Sequence, residues 1–403
     1  MTKAQPARHP KRGEAKCLAP LLFVESVAAL SFVAAAFAAL WDRHVMPRAR
    51  HEHVARADAS VTAIVPARNE AHHIGQWLHD VLRQTHRPAS IIIADDCSDD
   101  ATATVARDAA RNNSNVTVAG FGPPPAGWVG KNWAAHAAAT QAHSEWLFFS
   151  DADVRMAPQA LSAGLALADE LGADALSLSA TIQCQTWLER QVMPAMAALI
   201  FSGIPACLVN DDRVSTGLLA GGFLLVRREA YERVGGHRAV RGSIAEDRDL
   251  AERLKAFGYR VRLADGAHLV HVRMYRSAQE MWEGWRKNFY EGARRRLWLA
   301  AVFVLGCVTM LVLPIPLLAA LGVARLRRRL GRTQRRLALA CATCVAATAV
   351  VRATRDRAIG FRTDLMAIVL TPVGGIFAAA VMAASAWRSE SGKGQLWKGR
   401  LIR

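Results

Sequence analysis

Residues 145–153 read Glu-Trp-Leu-Phe-Phe-Ser-Asp-Ala-Asp: a large apolar run from Trp146 to Phe149, closed by Ser150 and then by two carboxylates one residue apart, Asp151 and Asp153. A short, continuously apolar run bounded by polar residues is the pattern of a strand buried on both faces, as in a sheet covered by helices. Open parallel sheets bind ligands beyond the carboxyl ends of their strands, so the acids that follow this run are candidate site residues. If 151–153 stays extended, alternate side chains point the same way and both carboxylates converge on one divalent ion. Hard oxygen ligands of this kind suit Mg2+ or Mn2+.

The same grammar extends in both directions. Upstream, Val61-Thr-Ala-Ile-Val65 and Ile91-Ile-Ile-Ala94 read as further buried strands, with Ala71 to Gln84 and Ala101 to Ala110 as the crossover helices. The pattern predicts an α/β domain over residues 60–292. Its second strand runs directly into Asp95-Asp96-Cys-Ser-Asp-Asp100. A carboxylate at a strand end can accept hydrogen bonds from a nucleobase N–H or ribose hydroxyls. Ser98 to Asp100 are accounted for by capping the helix that starts near Ala101, but capping leaves Asp95 and Asp96 unexplained. Downstream, Glu246-Asp247-Arg-Asp249-Leu250 opens a helical stretch that ends near Gly258. Acids in a first helical turn commonly do no more than complement the helix dipole. A carboxylate there can also take the proton of an attacking hydroxyl, and a single such base implies one displacement with inversion. Asn210-Asp211-Asp212 reads as solvated loop.

The chain has 403 residues, 52% of them hydrophobic, and the apolar residues concentrate at 17–41 and from Leu297 onward. Residues 1–16 form a basic tail, and 17–41 are apolar except for Glu25, Ser26 and Ser31. Such a stretch is long enough to span a bilayer core of about 30 Å and too long for a cleaved signal sequence, so it is expected to be a retained anchor. Glu25 within it would sit near an interface or face a partner helix. A C-terminal membrane region is expected over 297–387, in three stretches (Leu297–Ala324, Leu337–Val351, Leu365–Trp387), followed by a basic tail at 388–403. The net charge is +17, and from Leu297 to Arg403 there are 16 Lys and Arg against 3 acids, so +13 of it flanks apolar segments. That placement matches anionic lipid headgroups and not nucleic acid, for which aromatics would be interleaved with the basic residues on a soluble face.

Two topologies are open. If each apolar stretch crosses once and the α/β domain is cytoplasmic, the seven arginines between Arg325 and Arg336 fall on the outer side, against the positive-inside rule. If Pro314-Ile-Pro316 turns the first stretch into a re-entrant hairpin, that loop returns to the cytoplasm. Seven scattered cysteines give no disulfide framework, and Cys341 and Cys344 lie in an apolar run as buried small hydrophobes. His51, His53, His72, His73, His268 and His271 lack the partners of a zinc set, and no Walker-type phosphate loop is present.

The order of motifs V-P-A-R-N-E (65–70), A-D-D-C-S-D-D-A-T (94–102), G-K-N-W-A (130–134), D-A-D (151–153), A-G-G-F-L-L-V-R-R (220–228) and E-D-R-D-L (246–250) resembles family-2 glycosyltransferases of the GT-A fold. The Gly127-Trp128-Val-Gly-Lys131-Asn-Trp133 stretch is similar to members acting on isoprenoid lipids, the hopanoid-associated and carotenoid-type enzymes. The resemblance implies a nucleotide-sugar donor, a lipid acceptor and a divalent metal. It implies that Pro66, Arg68 and Glu70 line the nucleotide pocket, Asp95 faces the base with Asp96 beside it, and Lys131 supports the pyrophosphate. Asp151 would meet ribose or metal, Asp153 would hold the metal, and Gly221 and Gly222 would let backbone approach the sugar or acceptor closely. Asp247 would be the base, with Glu246 the second candidate.

Processive members carry a (Q/R)-x-x-R-W signature, whereas this chain reads Trp282-Glu-Gly-Trp285-Arg286-Lys-Asn288, with the Trp and Arg in reversed order. That departure argues against polymer synthesis. Trp282, Trp285 and Arg286 are expected on an amphipathic helix at the membrane surface, where a lipid acceptor enters. The sequence therefore predicts a multi-pass membrane protein with a cytoplasmic GT-A domain that glycosylates a membrane lipid of isoprenoid, hopanoid, carotenoid or sphingoid type. A polysaccharide synthase and a non-catalytic scaffold of the same fold are the rival readings.

Overall fold

The computed structural model describes residues 12–111, 113–327, 329–397 and 400–402. Seven strands, β1 (Val61–Ala67), β2 (Ser90–Asp95), β3 (Val116–Gly120), β4 (Trp146–Phe149), β5 (Ala175–Ser179), β6 (Leu224–Arg227) and β7 (Val261–Asp265), make one sheet in the order β3-β2-β1-β4-β6-β5-β7. All run parallel except β6, which is antiparallel to both its neighbours. The chain enters β6 from the carboxyl edge of the other strands, through Gly221-Gly222, so no crossover is needed to reach it. A smaller sheet joins Val154–Met156, Thr181–Ile182 and Val270–Val272.

The strands are apolar on both faces because both are covered. Ala63 and Val65 face a cluster with Trp77, Leu78 and Phe148, while Ile64 faces another with Ala134, Ala138 and Leu147. Each fully buried aliphatic side chain stabilises the fold by about 1.5–3 kcal/mol over exposure. Pro66 is tolerated in a central strand because pairing of β1 with β4 ends at Ile64 opposite Phe149. Its missing N–H therefore breaks no ladder on that side, and the sheet opens there. This is the GT-A α/β fold that the sequence resembles.

Eight helices frame the site and the apolar spans: α1 (Arg12–Val45), α2 (Gly130–Ala139), α3 (Glu246–Ala256), α4 (Ala278–Gly292), α5 (Leu297–Gly306), α6 (Pro314–Arg327), α7 (Arg332–Ala358) and α8 (Thr371–Glu390). Three spans, Leu18–Val45, Leu297–Arg327 and Arg332–Arg357, are long and apolar enough to cross a membrane. Side chains such as Phe23, Leu30, Phe37, Trp298 and Leu326 are exposed on them, as lipid contact requires.

Pro314 and Pro316 do not make a hairpin. A π-helical segment, Cys307–Val312, joins α5 to α6, and the prolines fall in the first turn after it. The wider turn accommodates rings that would clash with the carbonyl of the preceding turn of an α-helix. The Arg325–Arg336 cluster consequently lies at the far end of this span from Leu297. Glu25 settles against a helix: it is fully buried between α1 and α7, where the Cys341 thiol lies 3.9 Å from its Oε2.

The expected third apolar stretch is divided into Leu365–Val369 and α8. α8 covers the apolar face of α4 and corrects the expected surface helix: Trp285, Phe289 and Tyr290 are buried, with Trp285 packed between Tyr275 and Phe289. Trp282 is half-buried, edge-on to Phe377 of α8. The C-terminal basic tail is likewise structured, since Gln395–Trp397 pairs antiparallel with Arg400–Ile402. Residues 1–11 of the basic N-terminal tail lie outside the described residues.

Candidate active site

A pocket opens at the carboxyl ends of β1 and β4. Its walls are Pro66, Lys131, Ala135, Phe149, Ser150, Asp151, Gly221, Leu224, His237, Glu246, Asp247 and Leu250. Six residues singled out from distant motifs thus meet: Pro66, Lys131, Asp151, Gly221, Glu246 and Asp247. At its centre the Lys131 ammonium donates to Asp151 Oδ1 at 2.8 Å and to Glu246 Oε1 at 2.7 Å. Burial alone would lower its proton affinity, but the two carboxylates outweigh burial and raise it well above that of a free lysine, so it is a fixed cation. Asp247 sits beside them. Burial, reinforced by the neighbouring Glu246 charge, lifts its carboxyl to about 7, against the pull of Lys131.

Asn132 connects the two sides. It is fully buried in the first turn of α2, and its Nδ2 donates to the carbonyls of Val240, Arg241 and Ser243 at 3.0, 3.2 and 2.8 Å. The loop so held leads into α3, whose first turn carries Glu246 and Asp247. Ser243 Oγ continues the arrangement by donating to Asp249 Oδ2 at 2.6 Å. Gly221 lies where an added Cβ would come within 3.4 Å of Asp151 Oδ2 and 3.6 Å of both Asp247 Oδ2 and Lys131 Nζ. A bare backbone there keeps the pocket open at the height of the carboxylates.

Other expected residues stand around the pocket and not in its wall. Arg68 donates to the carbonyls of Asp96 and Cys97 and to Asp99 Oδ2, bracing the loop after β2. Glu70 Oε2 meets His73 Nδ1 at 2.7 Å. Asp95 keeps one oxygen, Oδ1, buried without a hydrogen-bond partner among the described residues. Asp96 is buried and holds Arg400. Gly222 abuts Val154, at 3.0 Å from an added Cβ.

The Asp151–Asp153 pair is placed differently from the expectation. β4 ends at Phe149, and 151–153 form a turn in which the Val154 N–H donates to the Asp151 carbonyl at 3.3 Å. Their carboxylates are therefore not aligned by strand pleat. Asp151 faces Lys131, whereas Asp153 faces Tyr275, whose hydroxyl is pushed up by burial and, beyond that, by the Asp153 charge. Among the described residues no three His, Cys, Asp or Glu side chains gather as a metal set. Asp151 and Asp153, two hard carboxylates on this turn, are the residues that would hold a divalent ion.

Sequence reasoning does not single out His237. It is buried in the pocket wall, its Nδ1 lies 2.8 Å from the Tyr231 hydroxyl, and burial beside Lys131 pushes it down to about 3, so it stays neutral. Nothing in Gly235-Gly236-His237 announces this; only the Phe149 and Tyr231 rings packed on it do.

The acidic residues of these motifs thus gather at the strand ends of the α/β sheet. Residues 62–235 match the family described as glycosyl transferase family 2. It is 30% identical over 244 residues to a 4,4'-diaponeurosporenoate glycosyltransferase of Staphylococcus aureus (strain MRSA252), covering 58% of this chain and 62% of that one. The chain thus matches less than two thirds of the length of these curated relatives. Among solved structures it is similar to a mannosyltransferase of Pyrobaculum calidifontis in complex with GDP-Man and Mn2+, with 17% identity, a TM-score of 0.47 and 92% and 99% of the two chains covered. It is also similar to Staphylococcus aureus TarS 1–349 in complex with UDP-GlcNAc, with 15% identity, a TM-score of 0.40 and 85% and 96% covered.

Proposed function

We propose that this protein is a hexosyltransferase that moves a sugar from a nucleotide diphosphate donor to a membrane lipid of isoprenoid type, with inversion. The observation that carries the reading is the pocket itself: a carboxyl of raised proton affinity, Asp247, beside a lysine bridged to two more acids, at the strand ends where an α/β sheet binds ligands. The acceptor hydroxyl oxygen attacks the anomeric carbon as the bond from that carbon to the diphosphate oxygen breaks. Asp247 takes the hydroxyl proton, and the nucleoside diphosphate leaves with the bonding electrons. A base near neutrality is suited to this, because it is both free to accept and strong enough to hold the proton.

Lys131 contributes positive charge beside the leaving group, and Asn132 keeps the α3 turn at the distance that lets Lys131 reach Glu246. Asp151 and Asp153 would hold Mg2+ or Mn2+, which when bound neutralises charge on the departing diphosphate. His237, uncharged, adds no competing cation and offers its ring to the pocket wall. The three apolar spans support residence in a membrane, with residues 60–292 as the catalytic unit on the cytoplasmic side. The carotenoid-type relative supports an isoprenoid acceptor, since such a substrate stays in the bilayer and membrane helices bring the pocket to it.

The test is lipid profiling and nucleotide-sugar turnover in membranes holding equal amounts of wild type and Asp247→Asn. A glycosylated lipid formed only by wild type supports the proposal. Equal turnover by both removes Asp247 as the base, and no turnover of any nucleotide sugar by wild type removes the transferase reading.

A further inference from the structure

The chain's last strand returns to the sheet edge and sets Arg400 on Asp96. Arg400 Nη1 donates to both carboxylate oxygens of Asp96, at 2.7 and 2.8 Å, and Nη2 donates to the Asp96 carbonyl at 3.3 Å. The two side chains are not equally accessible: Asp96 is 7% exposed and Arg400 29%. A ligand arriving from solvent meets the guanidinium and not the carboxylate. Burial pushes the Asp96 carboxyl up and Arg400 pulls it back, so the pair is mutually dependent.

The surroundings are shaped for this contact. Gly130, the first residue of α2, has no Cβ; one placed there would lie 2.1 Å from Asp96 Oδ2 and 2.5 Å from Arg400 Nη1. The guanidinium thus adjoins the N-terminus of α2, one residue from Lys131. The hairpin that carries it is fastened behind by buried Gln395, which accepts from Arg286 Nε at 3.2 Å and donates to the Ser385 carbonyl at 3.2 Å.

Charge gives the reason for a cation here. In the pocket one ammonium, Lys131, answers Asp151 and Glu246 with Asp247 alongside, so that cluster is not net positive. Arg68 is turned to two carbonyls and Asp99 with its side chain 14% exposed, against 29% for Arg400. A diphosphate needs positive charge beyond these, and a planar guanidinium at a helix N-terminus is suited to phosphate oxygens. We infer that Arg400 is a donor-binding residue whose guanidinium takes the donor's diphosphate, and that Asp96 is a positioning residue that aims it. The inference rests on the reading of the pocket as a nucleotide-sugar site.

The experiment uses the full chain in nanodiscs, with binding of UDP and GDP compared with uridine and guanosine for wild type, Arg400→Ala, Arg400→Lys and the double variant Asp96→Asn/Arg400→Ala. Arg400→Ala is expected to weaken the nucleoside diphosphate by about ten-fold or more while leaving the nucleoside unchanged, with Arg400→Lys intermediate. The double variant removes the stranded buried charge, so a fold-related loss would be rescued in it and a lost phosphate contact would not. Unchanged diphosphate affinity overturns the inference and leaves the transferase reading intact. So does tighter binding, which would make the hairpin a plug, and so does an equal loss for nucleoside and diphosphate. If wild type binds neither diphosphate, both readings fall together.

Discussion

Two regions of this molecule use ion pairs for opposite ends. At the junction between the helices and the α/β domain, Asp42 and Arg355 meet at 2.7 Å with side chains 1% and 6% exposed, and Asp42 also accepts the backbone N–H groups of Ala206 and Cys207. Arg352 and Asp356 pair in the same way, with Thr363 donating to Asp356 and Arg352 donating to Thr371. Each charge there is matched one to one and takes further neutral partners, as where Arg355 donates to the Phe201 carbonyl at 3.0 Å. In the pocket, one Lys131 serves two carboxylates, a third stands beside them, and the lysine and Asp151 are each more than a third exposed. Buried one-to-one pairs, within a helix or across the junction, complete each other; accessible clusters with more acids than bases leave charge for a ligand to complete.

The contrast is most vulnerable at Asp247. Asp247→Asn should lower turnover by about 10²–10⁴-fold, the range for loss of a positioned base. At the junction, Arg355→Ala should cost about 3–5 kcal/mol by stranding a buried carboxylate, read as a fall in unfolding temperature of the detergent-solubilised protein with no specific effect on donor affinity. If Arg355→Ala changed donor binding at unchanged stability, the division between the regions would be wrong. Asn132→Ala lies between them: it leaves three carbonyls without their donor and should cost about 1–3 kcal/mol, with kcat falling because the α3 turn loosens.

The pH dependence separates the two regions further. With the Asp247 carboxyl lifted to about 7, turnover should rise with pH through that value as the base loses its proton. Its folded pKa lies above the ordinary carboxylate value, so the folded state binds the proton more tightly and the associated stability is lost as pH rises through about 7. Asp247→Asn should therefore unfold at a higher temperature than wild type at pH 8 and at nearly the same temperature at pH 4, which paired thermal scans check. The smallest effect is expected at Glu25, whose buried Oε1 has no partner among the described residues. Replacing it with Leu should leave stability equal or slightly higher, since no one-to-one ion pair is broken there.

Much of the site is legible in the sequence, and the reasons are local. Asp151 follows an apolar strand, and Glu246 and Asp247 open a helix, so strand and helix periodicity puts each at an element's end, whereas Pro66, Lys131 and Gly221 stand out only through the motifs that resemble family-2 glycosyltransferases. The residues that are not legible depend on partners far along the chain. Asn132 looks like any polar residue in a helix until the 240–243 loop arrives over it, and His237 looks like a loop histidine until Phe149 and Tyr231 close on it. Trp285 has the composition of a membrane-surface residue, and only the packing of α8 buries it. The pleat argument for Asp151 and Asp153 fails because β4 stops at Phe149, before the acids, and the chain turns there.

Local pattern along the chain is enough to dictate an α/β domain with acids at its strand ends and apolar spans on either side, because buried strands and spans must be continuously apolar and the breaks in that pattern must be polar. Which acids share Lys131, which arginine reaches Asp96 from the far end of the chain, and which helix is covered are settled in the assembled fold alone. Those choices depend on distances between segments as much as 304 residues apart in sequence, and no local pattern encodes such distances.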